Sequence, residues 1–201
     1  AVPRSGKLLC ITNGAYGDRI VQIADILGID SIVQNSTELG QVDLQLIDKN
    51  LQNNLDITHV IVVHCETTTG MLNPINKIGK IVKNHQKVFM VDAMSSFGGI
   101  AMDVDILQID YLVSSANKCI QGVPGVGFVL CKKQIIENSK GNCHSLSLDL
   151  YDQWAAMKKN AQWRFTPPTH VLASFLQALK EHEKEGDTAG RLKRYNNNCK
   201  I

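Results

Sequence analysis

Short apolar runs alternate with amphipathic stretches along the sequence, and this pattern limits the possible fold more than any other feature. Residues 59–64 (HVIVVH) are nearly continuous in β-branched apolar side chains, which is typical of a central parallel strand buried on both faces. Five further runs predict strands at 7–12, 31–34, 87–91, 111–114 and 126–130. Apolar residues three and four positions apart predict helices over 18–27, 41–51, 75–84, 169–184, the second half of 145–160, and from 188 onward. The alternation predicts an α/β domain with a mainly parallel central sheet flanked by helices.

Length and charge argue against several classes of protein. The 201 residues are enough for one domain with a substantial core. A net charge of +2 without a prominent cluster of Lys or Arg argues against nucleic-acid binding, and the basic run at 191–194 is interpreted as a solvated helix face. Since no apolar run approaches ~18 residues and no signal-peptide pattern is present, no membrane association is expected. Six scattered cysteines, with no C-x-x-C or metal spacing, predict reduced thiols, a cytoplasmic protein and no metal site.

Three of the predicted strands are followed by side chains suited to joint chemistry. In parallel α/β sheets, ligands bind at the carboxyl ends of the strands. Thr67 follows the HVIVVH strand, Asp92 follows the next strand, and Lys118 lies just past the one after that. A lysine partly desolvated at such an edge has a lowered pKa and a nucleophilic amine, as a Schiff-base lysine requires. A carboxylate nearby suits the protonated ring nitrogen of pyridoxal phosphate (PLP).

Each of these side chains also has an ordinary structural interpretation. An Asp after a strand often caps a helix or forms a turn, a single Lys is usually solvated, and the hydroxyls of 67–69 suit a turn. His59, His64 and Cys65 could suggest a metal site or a cysteine protease, but on a buried strand they are expected to be core residues. Residue types and spacing leave these alternatives open.

Six blocks of sequence, in order and over nearly the whole chain, carry a resemblance to a known family. The blocks are 11–17 (ITNGAYG), 64–74 (HCETTTGMLNP), 91–99 (VDAMSSFGG), 114–125 (SSANKCIQGVPG), 145–154 (SLSLDLYDQW) and 163–170 (WRFTPPTH). In these blocks the chain resembles the class V aminotransferases, specifically those that use 2-aminoethylphosphonate and pyruvate in phosphonate catabolism. The resemblance implies the fold type I architecture of PLP-dependent transferases, PLP as cofactor, and a homodimer with the active site at its interface.

The resemblance also implies a role for each matching residue. Lys118 matches the lysine that forms the Schiff base with PLP and then moves the proton between the substrate Cα and the cofactor C4′. Asp92 matches the aspartate that pairs with the pyridine nitrogen, and Thr67 matches the hydroxyl beside the phenolic oxygen. Asn117 stands where related enzymes carry Gln or His, and the absence of His argues against cysteine desulfurase chemistry. Thr166 matches a residue that reaches the cofactor phosphate of the neighbouring subunit.

Two parts of the family pattern are not matched in the sequence. The resemblance implies that residues 1–201 form the PLP-binding large domain, without the N-terminal Gly/Ser turn that holds the phosphate and without the small C-terminal domain that supplies an anion-clamping arginine. The predicted reaction transfers the amino group of 2-aminoethylphosphonate to pyruvate, giving phosphonoacetaldehyde and alanine. The alternatives are another class V aminotransferase of the serine or alanine–glyoxylate type, or a truncated PLP-fold module without catalytic activity. An NAD-binding domain is less favoured because no G-x-G-x-x-G follows the first strand.

Overall fold

Six strands form one sheet in a computed structural model that describes residues 1–38 and 40–200. The strands are β1 (Lys7–Thr12), β2 (Asp30–Asn35), β3 (Ile57–Val63), β4 (Val88–Asp92), β5 (Tyr111–Ser115) and β6 (Gly127–Cys131). Their order across the sheet is β2-β1-β3-β4-β5-β6, and all neighbouring pairs are parallel except β5 and β6, which are antiparallel. The prediction of a mainly parallel sheet is therefore confirmed.

The helices of the described residues lie between the strands and after the sheet. They are α1 (Ala15–Ile26), α2 (Leu44–Asn53), α3 (Ile75–Asn84), α4 (Lys133–Glu137), α5 (Leu150–Asn160), α6 (Thr169–Lys184) and α7 (Asp187–Asn198). α2 and α3 cover one face of the sheet, where Ile47 and Val82 pack in one core with Val60 and Phe89. Within residues 1–38 and 40–200, no helix is both long and apolar enough to cross a membrane.

α1 packs on the opposite face of the sheet. Ile20 and Ala24 of α1 belong to a second cluster that includes Cys10 of β1, Ile61 of β3 and Met90 of β4. Successive side chains of a strand point to opposite faces, so the same strands supply residues to both cores. β3 is covered on both faces and lies inside the sheet, which confirms the prediction of a central buried strand.

Three details differ from the sequence-based prediction. The run at 191–194 is not solvated throughout, because Arg191 of α7 is only 2% exposed and makes an ion pair with Glu185. The five-residue helix α4 was not predicted, since it is too short to show helical periodicity. Asp92 is the last residue of β4 rather than the residue that follows it.

Candidate active site

The loops that carry Thr67, Asp92 and Lys118 lie side by side at one edge of the sheet. β3, β4 and β5 are parallel neighbours, so their carboxyl ends meet at this edge. Asp92 is in register with Val63 of β3 and with Val113 of β5. The tertiary structure thus brings together three segments that are separated along the chain.

Ser95 joins the three loops directly. Its hydroxyl donates to the carbonyl of Cys65 at 2.5 Å, and its own carbonyl accepts a hydrogen bond from the Cys119 thiol at 3.3 Å. Cys65 is two residues before Thr67, and Cys119 directly follows Lys118. Two hydrogen bonds therefore connect the loop after β3, through the loop after β4, to the loop after β5.

Asp92 points to the face of the sheet that α1 covers. Met90, two residues earlier on β4, packs in the α1 cluster, and side chains two apart on a strand share a face. Ser115 lies on that same face, two residues after Val113, which pairs with Asp92. The Ser115 hydroxyl is buried and has no hydrogen-bond partner in the described residues. The Ser115 hydroxyl therefore lacks the hydrogen bond that buried polar groups usually make.

Asp92 itself is a partly buried carboxylate with a free acceptor. Its Oδ1 accepts from the backbone N–H of Met94 at 2.9 Å, and no donor from the described residues reaches Oδ2. Burial raises the pKa of the Asp92 carboxyl above its ordinary value, while the hydrogen bond from Met94 opposes this shift. A cationic N–H at Oδ2 would stabilise the charged carboxylate.

Thr67, Asn117 and Lys118 are exposed at this edge. Lys118 begins a turn in which its carbonyl accepts from the backbone N–H of Gln121 at 2.9 Å. The partial desolvation that the sequence suggested for this lysine is not observed, because the described residues leave Lys118 open to solvent. Within the described residues, nothing desolvates the amine.

Thr166 does not join this group. It is exposed in the segment 161–167, between α5 and α6. Arg164 connects the segment to the region before it, through a hydrogen bond to the Leu146 carbonyl at 2.7 Å and an ion pair with Asp152 at 2.9 Å. Within residues 1–38 and 40–200, no hydrogen bond connects Thr166 to the three loops at the sheet edge.

His59 and His64 are core residues, as the sequence predicted. Burial lowers the pKa of His59 to about 4 and that of His64 below its ordinary value, so both rings are neutral at pH 7. His64 also supports the site, because its backbone N–H donates to the Asp92 carbonyl at 2.8 Å and its Nδ1 lies 2.9 Å from the Ser96 hydroxyl. In the described part of the chain, no three His, Cys, Asp or Glu side chains are grouped to hold a metal ion.

Glu66, next to Thr67, is a structural residue of the site that the sequence analysis missed. Its side chain is 0% exposed, and its carboxylate accepts from the backbone N–H groups of Gly17 at 2.8 Å and Tyr16 at 3.2 Å. A Cβ on Gly14 would lie 2.8 Å from this carboxylate, so glycine there makes room for it. The carboxylate thus caps the amino end of α1, where the helix dipole favours a negative charge. In the sequence, Gly14 and Gly17 at the start of α1 were the available signal that another side chain approaches the helix there.

A reciprocal amide pair fixes the other end of the loop after β3. Asn13 and Asn73 each donate from Nδ2 to the Oδ1 of the other, at 2.8 and 2.9 Å. Asn73 also donates to the Val63 carbonyl at 2.8 Å. Both amides are buried, so the loop that carries Thr67 is held at both ends by satisfied polar groups.

Comparison with known proteins supports the family that the sequence blocks indicated. Residues 19–190 match the family profile described as aminotransferase class-V. A 2-aminoethylphosphonate–pyruvate transaminase from Bacillus cereus strain Q1 is 55% identical over 201 residues, which are 100% of this chain and 55% of that protein. The chain therefore spans about half the length of the curated relatives it matches.

Solved structures show the same fold. A pyridoxamine–pyruvate aminotransferase from Mesorhizobium loti superposes with a TM-score of 0.86 at 25% identity, over 96% of this chain and 50% of that one. An alanine–glyoxylate aminotransferase from Nostoc sp. gives a TM-score of 0.86 at 20% identity, over 100% of this chain and 53% of the other. These matches confirm the expected fold, and with the profile match over most of its length they show that the chain belongs to the class V aminotransferase family.

Proposed function

We propose that this chain is the PLP-binding large domain of a transaminase that transfers the amino group of 2-aminoethylphosphonate to pyruvate, giving phosphonoacetaldehyde and alanine. The observation that carries the proposal is the contact path through Ser95, which joins the loops of Lys118 and Asp92 on neighbouring strands. The two substrates are those in the name of the Bacillus cereus relative.

The described residues fit PLP at several of its groups. The exposed Lys118 amine suits the aldehyde, and the free Oδ2 of Asp92 suits the ring N–H. The Thr67 hydroxyl is exposed on the adjacent loop, as a contact to the phenolic oxygen requires, and Asn117 is exposed beside Lys118.

The chemistry then divides between these residues. When bound, PLP supplies an electron-accepting ring next to the substrate Cα. Asp92 holds the proton on the ring nitrogen, which keeps the ring cationic. Lys118 would hold the cofactor through its aldehyde, and the free Lys118 Nζ would be the base that takes the proton from the substrate Cα and the acid that returns it at C4′.

The proposal extends to the assembly and location of the protein. Thr166 lies away from the site of its own chain and is exposed, which suits a contact with the cofactor phosphate of a neighbouring subunit in a homodimer. All six cysteines are free, as expected for a protein of the reducing cytoplasm.

A trapping experiment and an assay test the proposal together. Borohydride reduction in the presence of PLP should give a stable secondary amine on the peptide that contains Lys118. The adduct should be absent from Lys118→Ala and retained in Lys140→Ala, a control at another exposed lysine. Phosphonoacetaldehyde formation from 2-aminoethylphosphonate should require pyruvate. An adduct on a different lysine would refute the site, and faster turnover of serine or alanine with glyoxylate would refute the substrates.

A further inference from the structure

α6 and α7 meet at a tight bend beside the loop that carries Lys118; we call residues 182–195 the α6–α7 elbow. Gly186 at the bend has a φ of 99°, in the left-handed region that favours glycine. Gly190, early in α7, lies so close to the Glu185 carbonyl that a side chain there would collide with it. These glycines let α7 fold back on α6, which brings the arginines of α7 to Glu185.

Arg191 joins the elbow to the turn after Lys118. Although charged, Arg191 is only 2% exposed, and its Nη1 donates to the backbone carbonyl of Cys119. Glu185 holds the other side of the guanidinium, with Oε2 at 2.8 Å from both Nε and Nη2. Removing a buried cation of this kind leaves a carboxylate and a carbonyl without their donor, so the arginine fixes both.

A second arginine strengthens the same junction. Arg194 pairs with Glu185 through Nε at 2.6 Å and donates to the side-chain oxygen of Gln121 at 3.0 Å. The Gln121 amide in turn donates to the Tyr195 hydroxyl at 3.3 Å. Hydrogen bonds from Arg194 and then Arg191 lower the pKa of Glu185 to about 2, so it remains charged at neutral pH.

The turn after Lys118 depends on such outside support. Gln121 has a φ of 64°, a left-handed conformation that is costly for a residue with a Cβ. The turn closes through the Gln121 N–H on the Lys118 carbonyl at 2.9 Å and the Gly122 N–H on the Ala116 carbonyl at 2.8 Å. The carbonyl that Arg191 binds belongs to the residue directly after Lys118, so this contact determines where the lysine side chain begins.

The same elbow holds the loop after Asp92. Nε2 of His182 lies 2.6 Å from the Gly98 carbonyl, and since a carbonyl only accepts, this nitrogen carries the proton. A Cβ on Gly99 would lie 2.8 Å from the Cys119 sulfur, so glycine there allows the two loops to touch. One element therefore contacts both loops of the candidate site.

We infer that the α6–α7 elbow sets the position of Lys118 relative to Asp92, with Arg191 as the positioning residue. The inference rests on the proposed function, in which Lys118 binds the cofactor aldehyde and Asp92 its ring nitrogen. It assigns Arg191 no contact with substrate or cofactor. Arg191 contacts the turn through the Cys119 carbonyl.

Hydrogen exchange of the protein without PLP tests the inference independently of activity. In Arg191→Met, the amides of Gln121 and Gly122 should exchange at least about tenfold faster, because a hydrogen bond to a charged group is lost. At limiting PLP, the fraction trapped on Lys118 by borohydride should fall severalfold. The matched control is Lys83→Met, which removes another cation that joins a carboxylate, Asp110, to a backbone carbonyl. Asp110 directly precedes β5, at the end of the strand opposite to Lys118, so Lys83→Met should lower stability without changing either readout.

The two readouts separate the possible failures. Wild-type exchange at Gln121 and Gly122 in Arg191→Met overturns the inference, as does an equal change in Lys83→Met. If Arg191→Met does not fold, Glu185→Gln, which loosens the same guanidinium, should show the same faster exchange at Gln121 and Gly122. Unchanged exchange of these amides in Glu185→Gln would also overturn the inference. A wild-type protein that traps no PLP on Lys118 refutes the proposed function instead, while exchange still reports whether Arg191 fixes the turn.

Discussion

At the scale of single residues, burial of the Asp92 carboxyl group disfavours its charged form. Only the backbone N–H of Met94 donates to it among the described residues, and burial raises its pKa. In the range between the ordinary aspartate pKa of 3.8 and the raised value, the folded protein holds a proton that the unfolded chain has released. Stability therefore falls as pH rises through this range, and the loss persists at neutral pH. A cationic ligand that pairs with Asp92 recovers the loss.

The fall in stability with rising pH leads to a prediction for Asp92→Asn. Without PLP, the variant should be at least as stable as wild type at pH 7, and the difference should disappear below pH 3.8, where both states of the wild type are protonated. With PLP, transamination should slow by about a hundredfold or more, because a charge-assisted hydrogen bond at the ring nitrogen is lost. Urea unfolding across pH and single-turnover kinetics measure the two effects.

The control for this variant is Asp103→Asn. Asp103 is exposed and, like Asp92, accepts from the backbone N–H two residues further on, at 2.9 Å. It should show neither the pH-dependent gain nor the slower reaction. An Asp92→Asn protein that is less stable at pH 7, yet reacts at the wild-type rate, would contradict the assigned role.

At the scale of elements, Glu66 couples helix α1 to the loop that carries Thr67. A buried carboxylate at the amino end of a helix satisfies free N–H groups and interacts favourably with the helix dipole. The loop closes on Glu66 as well, through its backbone bonds with Gly70 at 2.7 Å and Met71 at 3.0 Å. The loop conformation therefore depends on a helix that begins about fifty residues earlier.

Glu66→Gln should accordingly weaken both the helix and the loop. The amide keeps only one acceptor oxygen, so one N–H of α1 loses its partner, at a cost of about 1–2 kcal/mol in the free energy of unfolding. Amide exchange at Gly70 and Met71 should accelerate in parallel. Asp43→Ala provides the comparison, since the Asp43 side chain caps α2 through Gln45 and Leu46 and makes no hydrogen bond to this loop among the described residues. It should cost about 1 kcal/mol and leave loop exchange unchanged. Faster loop exchange in both variants would show that Glu66 acts only through global stability.

At the scale of the whole molecule, the region from 146 to 166 exposes several large apolar side chains. Leu146, Leu148, Trp163 and Phe165 are all exposed, close in sequence to Thr166. Monomeric soluble proteins rarely leave large contiguous apolar patches open to water. Thr166 is the residue proposed to reach the cofactor of the neighbouring subunit. The nearby exposed apolar side chains therefore suit an interface between two copies of the chain.

If the proposed homodimer forms through this region, Phe165→Asp should shift the protein toward the monomer. A charge at an apolar interface should weaken dimerisation at least about tenfold, and cofactor retention should weaken with it because Thr166 is then displaced from the second site. Sedimentation velocity measures the first effect and PLP fluorescence titration the second. Ile106→Asp, at an exposed apolar residue outside this region, should change neither. A wild-type protein that sediments as a monomer would rule out the proposed homodimer.

The α/β class, the positions of the strands and the family could all be predicted from the amino-acid sequence alone. Buried parallel strands need β-branched apolar runs and surface helices need an apolar stripe, so both leave periodic patterns that are readable locally. The order of Thr67, Asp92 and Lys118 at the carboxyl ends of successive strands was readable for the same reason. The family blocks added what periodicity could not, namely which strand-end side chains match a PLP site.

Which charged side chains are buried and which are exposed depends on how distant elements pack in the folded chain. Glu66 is buried because it meets Gly17, 49 residues away, and Arg191 is buried because it meets Cys119, 72 residues away. Lys118, expected to be partly desolvated, is exposed because no described segment covers it. Burying a charge is unfavourable unless a partner is supplied, and the partner's position depends on the packing of distant elements. Local sequence carries no record of that packing, so the helix cap at Glu66 and the elbow at Arg191 emerge only from the fold.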